Sequence, residues 1–286
     1  VKSVAKTKLA SPLKWHGGKG PLASRIVALF PPRCKNPNAP APDDAGWLHY
    51  VEPYAGGLSV MLTNDPIGIS EVANDISFDL TTFWWALQEQ ESFDSLRRIL
   101  EATPFSQIEF KRKSGTSDIA WRAAWFFIRC RQSLAGRMRD FAPISRNRTR
   151  KGMNEQVSAW LNAIEGLPEV HARLKRVLIL NKSALDVIRL EDGPRTLFYL
   201  DPPYLHETRA TTIEYGENEM SEADHRELLE TLCGLDGRFC LSGYSSLLYH
   251  EYAGLQGWSR HDFSVDNKAA GGKTKRRMVE SVWCNY

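Results

Sequence analysis

The run Thr196-Leu197-Phe198-Tyr199-Leu200, followed without a spacer by Asp201-Pro202-Pro203-Tyr204, constrains this chain more than any other segment. Apolar, aromatic and β-branched residues over that length read as a strand buried on both faces. Pro202 and Pro203 lack the N–H a ladder needs and restrict φ, so the strand must stop there, with Asp201 and Pro202 held extended. An acidic side chain is thereby placed at the C-terminal end of a buried strand. Open α/β sheets bind their ligands at that edge.

The rest of the chain supplies such a sheet. His49-Tyr50-Val51-Glu52 reads as a strand, Pro53-Tyr54-Ala55-Gly56-Gly57 as a turn, and the apolar stretch 58–62 as the start of a helix. Ile67-Gly68-Ile69 opens a short strand ending near Asn74 and Asp75, and a helix follows through Leu80, Phe83, Trp84 and Leu87. This βαβα order favours parallel strands with helices on the faces. From about Ser92 to Arg173 the alternation stops, and helices are expected over 93–101, 120–130, 154–164 and 168–175, with an Arg-rich loop between the second and third. Regular order resumes with a strand at 177–180, a helix near 185–188, the Leu197 strand, a helix over 221–233 and a strand at 239–242. Strands at 259–265 and 278–283 make a terminal hairpin. The expected architecture is α/β, a mostly parallel sheet with a C-terminal antiparallel hairpin. Residues 1–91 and 174–286 would form one discontinuous domain, and 92–173 a helical, Arg-rich insertion.

At 286 residues, 42% of them hydrophobic, the chain can bury a full core. No apolar stretch approaches the ~20 residues of a membrane span, and residues 1–13 lack the apolar core of a signal peptide, so a cytoplasmic setting is expected. Cys34, Cys130, Cys233, Cys240 and Cys284 form no Cys-x-x-Cys pair, and no His cluster stands at metal spacing. Buried free thiols are expected, and no metal. The net charge of +3 says little, but its distribution says more. Arg129, Arg131, Arg137, Arg139, Arg146, Arg148, Arg150 and Lys151 are opposed within their stretch only by Asp140, and Lys273-Thr274-Lys275-Arg276-Arg277 follows Gly271-Gly272. Two dense basic segments in a nearly neutral chain point to a polyanion.

The acidic corner suits an exocyclic amine. The lone pair of such an amine is delocalised into its ring, so activating it requires fixed acceptors for its N–H bonds. Asp201 supplies one and the Pro202 carbonyl the other, while Tyr204 offers a face for stacking a base, a contact worth about 1–3 kcal/mol. In the turn after Glu52, Gly56 and Gly57 permit close backbone approach and positive φ. Asp75 stands where a carboxylate can accept from ribose hydroxyls. No Gly-x-Gly-x-x-Gly spacing occurs, which favours a nucleoside cofactor smaller than a dinucleotide.

These residues resemble the DNA adenine-N6 methyltransferases of the Dam type (D12 class). Leu13-Lys14-Trp15-His16-Gly17-Gly18-Lys19 is similar to the family's N-terminal signature, Val51 to Val60 to its Glu-Pro-Phe-x-Gly-x-Gly signature, and Asp201-Pro202-Pro203-Tyr204 to its catalytic one. The basic stretch before the last strand is similar as well. The resemblance implies a Rossmann-like methyltransferase sheet with a target-recognition lobe, S-adenosylmethionine as methyl donor, and direct in-line transfer to N6 of a flipped adenine in double-stranded DNA. It implies a cofactor site made by Trp15, Lys19, Glu52, Tyr54, Ala55, Gly56, Asp75 and Asp201, and catalysis by Asp201, Pro202 and Tyr204. DNA contacts would come from Lys14, Arg131, Arg137, Arg139, Arg146 and Arg148, and from Lys273, Lys275, Arg276 and Arg277. A bacterial or phage origin fits that class. The alternatives are a cytosine-N4 or an RNA adenine methyltransferase, and a non-catalytic DNA-binding protein on the same fold. Three departures stand out: Tyr54 replaces the usual Phe, Leu58 rather than a small residue follows Gly57, and Asn181-Lys182-Ser183-Ala184 stands where the family often has Asp-Phe.

Overall fold

Strand β6 (Thr196–Leu200) is buried at all five residues. It lies between two parallel neighbours, β1 (His49–Glu52), with Val51 opposite Phe198, and β7 (Arg238–Gly243), with Phe198 opposite Phe239 and Leu200 opposite Leu241. On its other side β1 pairs in parallel with β2 (Ser70–Asn74), Val51 opposite Val72. The structure, a computed structural model, describes residues 8–35, 46–113, 115, 117–142, 147–205, 219–266 and 277–286.

Strands β3 (Thr149–Arg150) and β4 (Met153–Asn154) form a separate antiparallel hairpin. With β5 (Val177–Leu180), β8 (Ser259–Asp266) and β9 (Arg277–Cys284), the main sheet has, among the described residues, seven strands in the order β5-β2-β1-β6-β7-β9-β8. The chain leaves β1 toward β2 on one side and later returns to place β6 on the other. The order thus reverses at β1 and β6, and at such a switch point the two adjoining loops part and leave a crevice at the C-terminal strand ends. The closing strands are antiparallel as expected: β9 runs against β7 and β8 against β9.

The chain divides into two compact units. One takes in Ser24–Ala55, Pro66–Ile76 and Leu180–Tyr286 and carries most of the sheet. Its core joins Phe198 and Leu200 of β6, Phe239 and Leu241 of β7 and Trp283 of β9 to helices α8 (Ala184–Glu191), α9 (Glu222–Cys233) and α10 (Leu247–Gln256). Tyr50, on the opposite pleat of β1, packs against Phe30 at 5.5 Å and Trp47 at 6.0 Å between ring centroids. Burying each such side chain contributes about 1.5–3 kcal/mol.

The other unit takes in Val1–Ala23, Gly56–Asp65 and Ser77–Ile179. It is built on α2 (Phe78–Gln88), α3 (Gln90–Ala102), α4 (Gln107–Lys111), α5 (Ile119–Arg131), α6 (Glu155–Glu165) and α7 (Leu167–Leu174). Phe83 stacks on Phe127 at 5.7 Å, Phe127 meets Trp160 at 5.4 Å, and the Trp160 Nε1–H donates to Thr103 O at 3.1 Å. Asp118 starts α5 by accepting from the Trp121 N–H at 2.8 Å.

Local departures from the sequence reading have physical reasons. Residues 58–62 form no helix. Leu58 adopts φ +53 with its side chain fully buried, and a left-handed first residue turns the chain out of a helical course. Hydrogen bonds such as Leu62 N–H to Leu58 O at 3.0 Å then wind it into successive turns. Strand β2 starts at Ser70 rather than Ile67, after Gly68 at φ +77. The Arg-rich loop contains the β3–β4 hairpin, whose turn residues Lys151 and Gly152 have φ +51 and +73, the combination a two-residue hairpin loop needs.

Candidate active site

At the switch point, three acidic residues stand at the ends of three adjacent parallel strands. Glu52 is the last residue of β1, Asp75 follows the last residue of β2, and Asp201 follows the last of β6. Neighbouring strands are about 4.8 Å apart, so one sheet edge gathers all three. Glu52 is buried at 2% exposure, and the Tyr50 hydroxyl donates to its Oε1 at 2.7 Å. Burial, reinforced by the Glu52 charge, holds the Tyr50 phenol well above its ordinary pKa, so it stays a donor. Tyr54 is half-buried against the core of the sheet unit, and Ala55 is buried.

Asn74 fastens this edge. Fully buried at the end of β2, it donates through Nδ2 to Pro53 O at 3.0 Å and Lys182 O at 3.1 Å, and its Oδ1 accepts from the Lys182 N–H at 2.9 Å. Its backbone carbonyl accepts from the Ala55 N–H at 2.8 Å. One side chain therefore fixes both the turn after Glu52 and the turn after β5. Asn181, the first residue after β5, donates to Asp75 O at 2.8 Å and Ile76 O at 3.0 Å. The stretch 181–184, which departs from the family pattern, thus braces the backbone around Asp75.

Past β6, Pro202 is buried and Pro203 half-buried. The Tyr204 hydroxyl donates to Glu280 Oε1 of β9 at 2.7 Å, and its ring meets Tyr244 edge to face at 4.7 Å. Burial, and after it the negative charge of Asp201, pushes the Tyr204 phenol well above its ordinary pKa. A ring held at its tip and its edge is a preorganised surface rather than a mobile one.

In the helical unit, Gly56 has φ +45, and a Cβ there would lie 2.7 Å from Trp15 Nε1; one at Gly57 would lie 2.9 Å from Trp15 Cβ. The glycines let the turn close onto the Trp15 side chain. Lys19 is buried at 7% and donates to Gly17 O at 2.9 Å. Lys14 donates to Ser133 O at 2.9 Å, and burial, followed by the nearby Arg131 charge, lowers its pKa. The Arg131 guanidinium donates to Ala159 O at 2.6 Å. Both cations, expected at DNA, are engaged inside the helical unit. Arg137, Arg139 and Arg148 are exposed, Arg148 3.7 Å from Glu155. Arg146, Lys273, Lys275 and Arg276 lie outside the described residues, and Arg277 is described only as the backbone start of β9. Among the described residues no group of acidic, His or Cys side chains is arranged to hold a metal ion, and no helix is long and apolar enough to cross a membrane.

The model of the family described as D12 class N6 adenine-specific DNA methyltransferase matches residues 15–254. The chain belongs to that family. Nothing among curated proteins matches it. As a D12-class methyltransferase it is an adenine-specific DNA methyltransferase, and its α/β fold with a mostly parallel sheet is the one the motifs called for.

Two residues at the methyltransferase's sheet edge escaped the sequence reading. Glu280 carried a signal, a lone acid within the apolar run Met278 to Trp283. Asn74 carried none, since an Asn before an Asp reads as an ordinary strand end. Its removal has a testable cost: Asn74→Ala strips the Pro53 and Lys182 carbonyls and the Lys182 N–H of their partner, at roughly 1–3 kcal/mol for a buried group left unpaired. A lower midpoint of urea unfolding with an unchanged slope is expected; an unchanged midpoint would remove Asn74 from this bracing role.

Proposed function

We propose that this methyltransferase uses S-adenosylmethionine to methylate N6 of an adenine flipped out of double-stranded DNA. The observation that carries this reading is the row of Glu52, Asp75 and Asp201 at the ends of three adjacent strands beside the anchored Tyr204. The donor set suits the cofactor: carboxylates at one edge accept hydrogen bonds from ribose hydroxyls and an ammonium group, and their negative charge favours a cation. When bound, S-adenosylmethionine supplies an electrophilic methyl group on a sulfonium.

Glu52 and Asp75 hold and orient polar groups of the cofactor, and Tyr54 and Ala55 close the apolar side. The resemblance of their segments to the family signatures supports Trp15, Lys19 and Gly56 as further cofactor contacts. Asp201 and the Pro202 carbonyl accept the two hydrogens of the adenine amine, and Tyr204 receives the base by stacking. Flipping costs a few kcal/mol of unstacking, and stacking on Tyr204 offsets part of it. Positive charge develops on the amine nitrogen as it is alkylated. A fixed carboxylate stabilises it without reorganisation, and holding nitrogen near the methyl group removes much of the remaining barrier. Arg137, Arg139 and Arg148 contact phosphates; the exposed Arg148 pair with Glu155 is worth little and is readily exchanged.

The test is methylation of a random-sequence duplex library with S-adenosylmethionine, followed by mapping of modified bases and by calorimetry of cofactor binding. N6-methyladenine confined to one sequence context is expected. Absence of both cofactor heat and modified adenine would sink the reading.

A further inference from the structure

Cys240 and Cys284, read from the sequence as separate buried thiols, stand directly opposite each other in the antiparallel β7–β9 pair. Their sulfurs are 3.5 Å apart and both residues are fully buried. Opposed residues in antiparallel strands have Cα atoms about 4.5–5.5 Å apart, inside the range a disulfide spans without backbone movement. Ser259 stands opposite Cys284, and Tyr286 stands beside Cys240. The Tyr286 hydroxyl lies 2.9 Å from Cys240 Sγ and donates to Leu29 O at 3.1 Å, while Tyr286 itself is 40% exposed.

We propose that Cys240 and Cys284 form an oxidant-responsive modification site, closing to a disulfide under peroxide and thereby slowing methyl transfer. Cys284 is the attacking sulfur: its side-chain hydrogen bond with Cys240 holds its thiol below the usual range, whereas burial pushes Cys240 up. The Cys284 thiolate attacks one peroxide oxygen, the O–O bond breaks, and Cys284 becomes a sulfenic acid, while the departing hydroxide takes up the proton that the Cys284 thiol lost and leaves as water. Cys240 sulfur then attacks Cys284 sulfur, the S–O bond breaks, and a second water carries off the Cys240 proton. Two thiols are oxidised and one peroxide is reduced.

Closure draws the sulfurs from 3.5 Å to about 2.0 Å. It acts on the two strands that position Tyr204. Glu280, which accepts from the Tyr204 hydroxyl, belongs to β9, and Tyr244, whose ring meets Tyr204, follows β7. The effect on methyl transfer rests on the function proposed above; the formation of the disulfide does not.

The test treats the folded, reduced protein with hydrogen peroxide, then denatures, alkylates and maps the peptides, with methyl transfer and cofactor binding measured on the same samples. The expected result is loss of two alkylatable thiols, one Cys240–Cys284 linked peptide pair, and a fall in methyl transfer, all reversed by dithiothreitol. Cys240→Ala should abolish the linked pair and keep its methyl transfer through the treatment. Tyr286→Ala should speed closure by uncovering the pair. If both thiols remain alkylatable while Cys34 or Cys233 oxidises, or if the linked protein transfers methyl groups at the reduced rate, the proposal is overturned. A reduced protein that bound no cofactor would instead count against the proposed function, because the peptide map needs no turnover.

Discussion

Asp201→Ala is expected to lower kcat by about 10²–10³-fold, the range found when one preorganised stabiliser of developing charge is removed, equivalent to about 2.7–4 kcal/mol. The reasoning starts at the strand. Every residue of β6 is buried, and the two prolines that end it leave Asp201 on fixed, extended backbone. A carboxylate held in this way loses no reorganisation energy when positive charge grows on the amine. Cofactor affinity should fall far less than kcat, because Glu52 and Asp75 remain on the neighbouring strands. Asp201→Asn, which keeps one acceptor oxygen but no charge, should lie between alanine and wild type. Single-turnover transfer to a short duplex separates the chemical step from binding, and calorimetry gives the affinity. A variant that lost cofactor binding and thermal stability together would make Asp201 a structural residue; one that kept turnover within a few-fold would remove it from catalysis.

The legible part of this protein is the part in which local chemistry and global fold agree. The β6 run, the α2 periodicity through Leu80, Phe83, Trp84 and Leu87, and the closing hairpin all appeared where the residues placed them, since burial pattern alone decides such elements. The acids at the strand ends were legible for the same reason: Pro-Pro after β6 and the glycine turn after β1 mark those ends. Illegible features depended on partners distant in sequence. Leu58 reads as helical until its fully buried side chain and positive φ are seen together. Lys14 and Arg131 are expected at DNA, and the acceptors that their donors reach within the protein, Ser133 O and Ala159 O, are ones no charge pattern reveals. The partnership of Cys240 with Cys284, 44 positions apart, follows from register, which composition does not carry.

Gly136→Ala is expected to cost the helical unit on the order of 3 kcal/mol or more, from strained backbone and overpacking together. After α5 the chain makes a tight turn in which Ala135, Gly136 and Met138 all have positive φ, between +54 and +76. A Cβ at Gly136 would fall within bonding distance of the Lys14 carbonyl oxygen, which also accepts from the Cys130 thiol at 3.1 Å. That carbonyl is backbone, so it cannot swing aside as a side chain could. Relief would require the Lys14-Trp15 segment to move, and with it the hydrogen bond from Lys14 to Ser133 O. Gly152 supplies the control: its φ of +73 imposes the same left-handed penalty, but nothing lies within 4 Å of an added Cβ. Gly152→Ala should therefore cost only about 1 kcal/mol, the backbone share alone. At roughly 2–4 °C per kcal/mol for a unit of this size, the two variants should separate clearly in thermal unfolding. If they melted together, the close approach of Gly136 to Lys14 would not be the source of the constraint. Since Trp15 packs on Gly56 and Gly57, a displaced Lys14-Trp15 segment should also weaken cofactor binding in Gly136→Ala and leave it intact in Gly152→Ala.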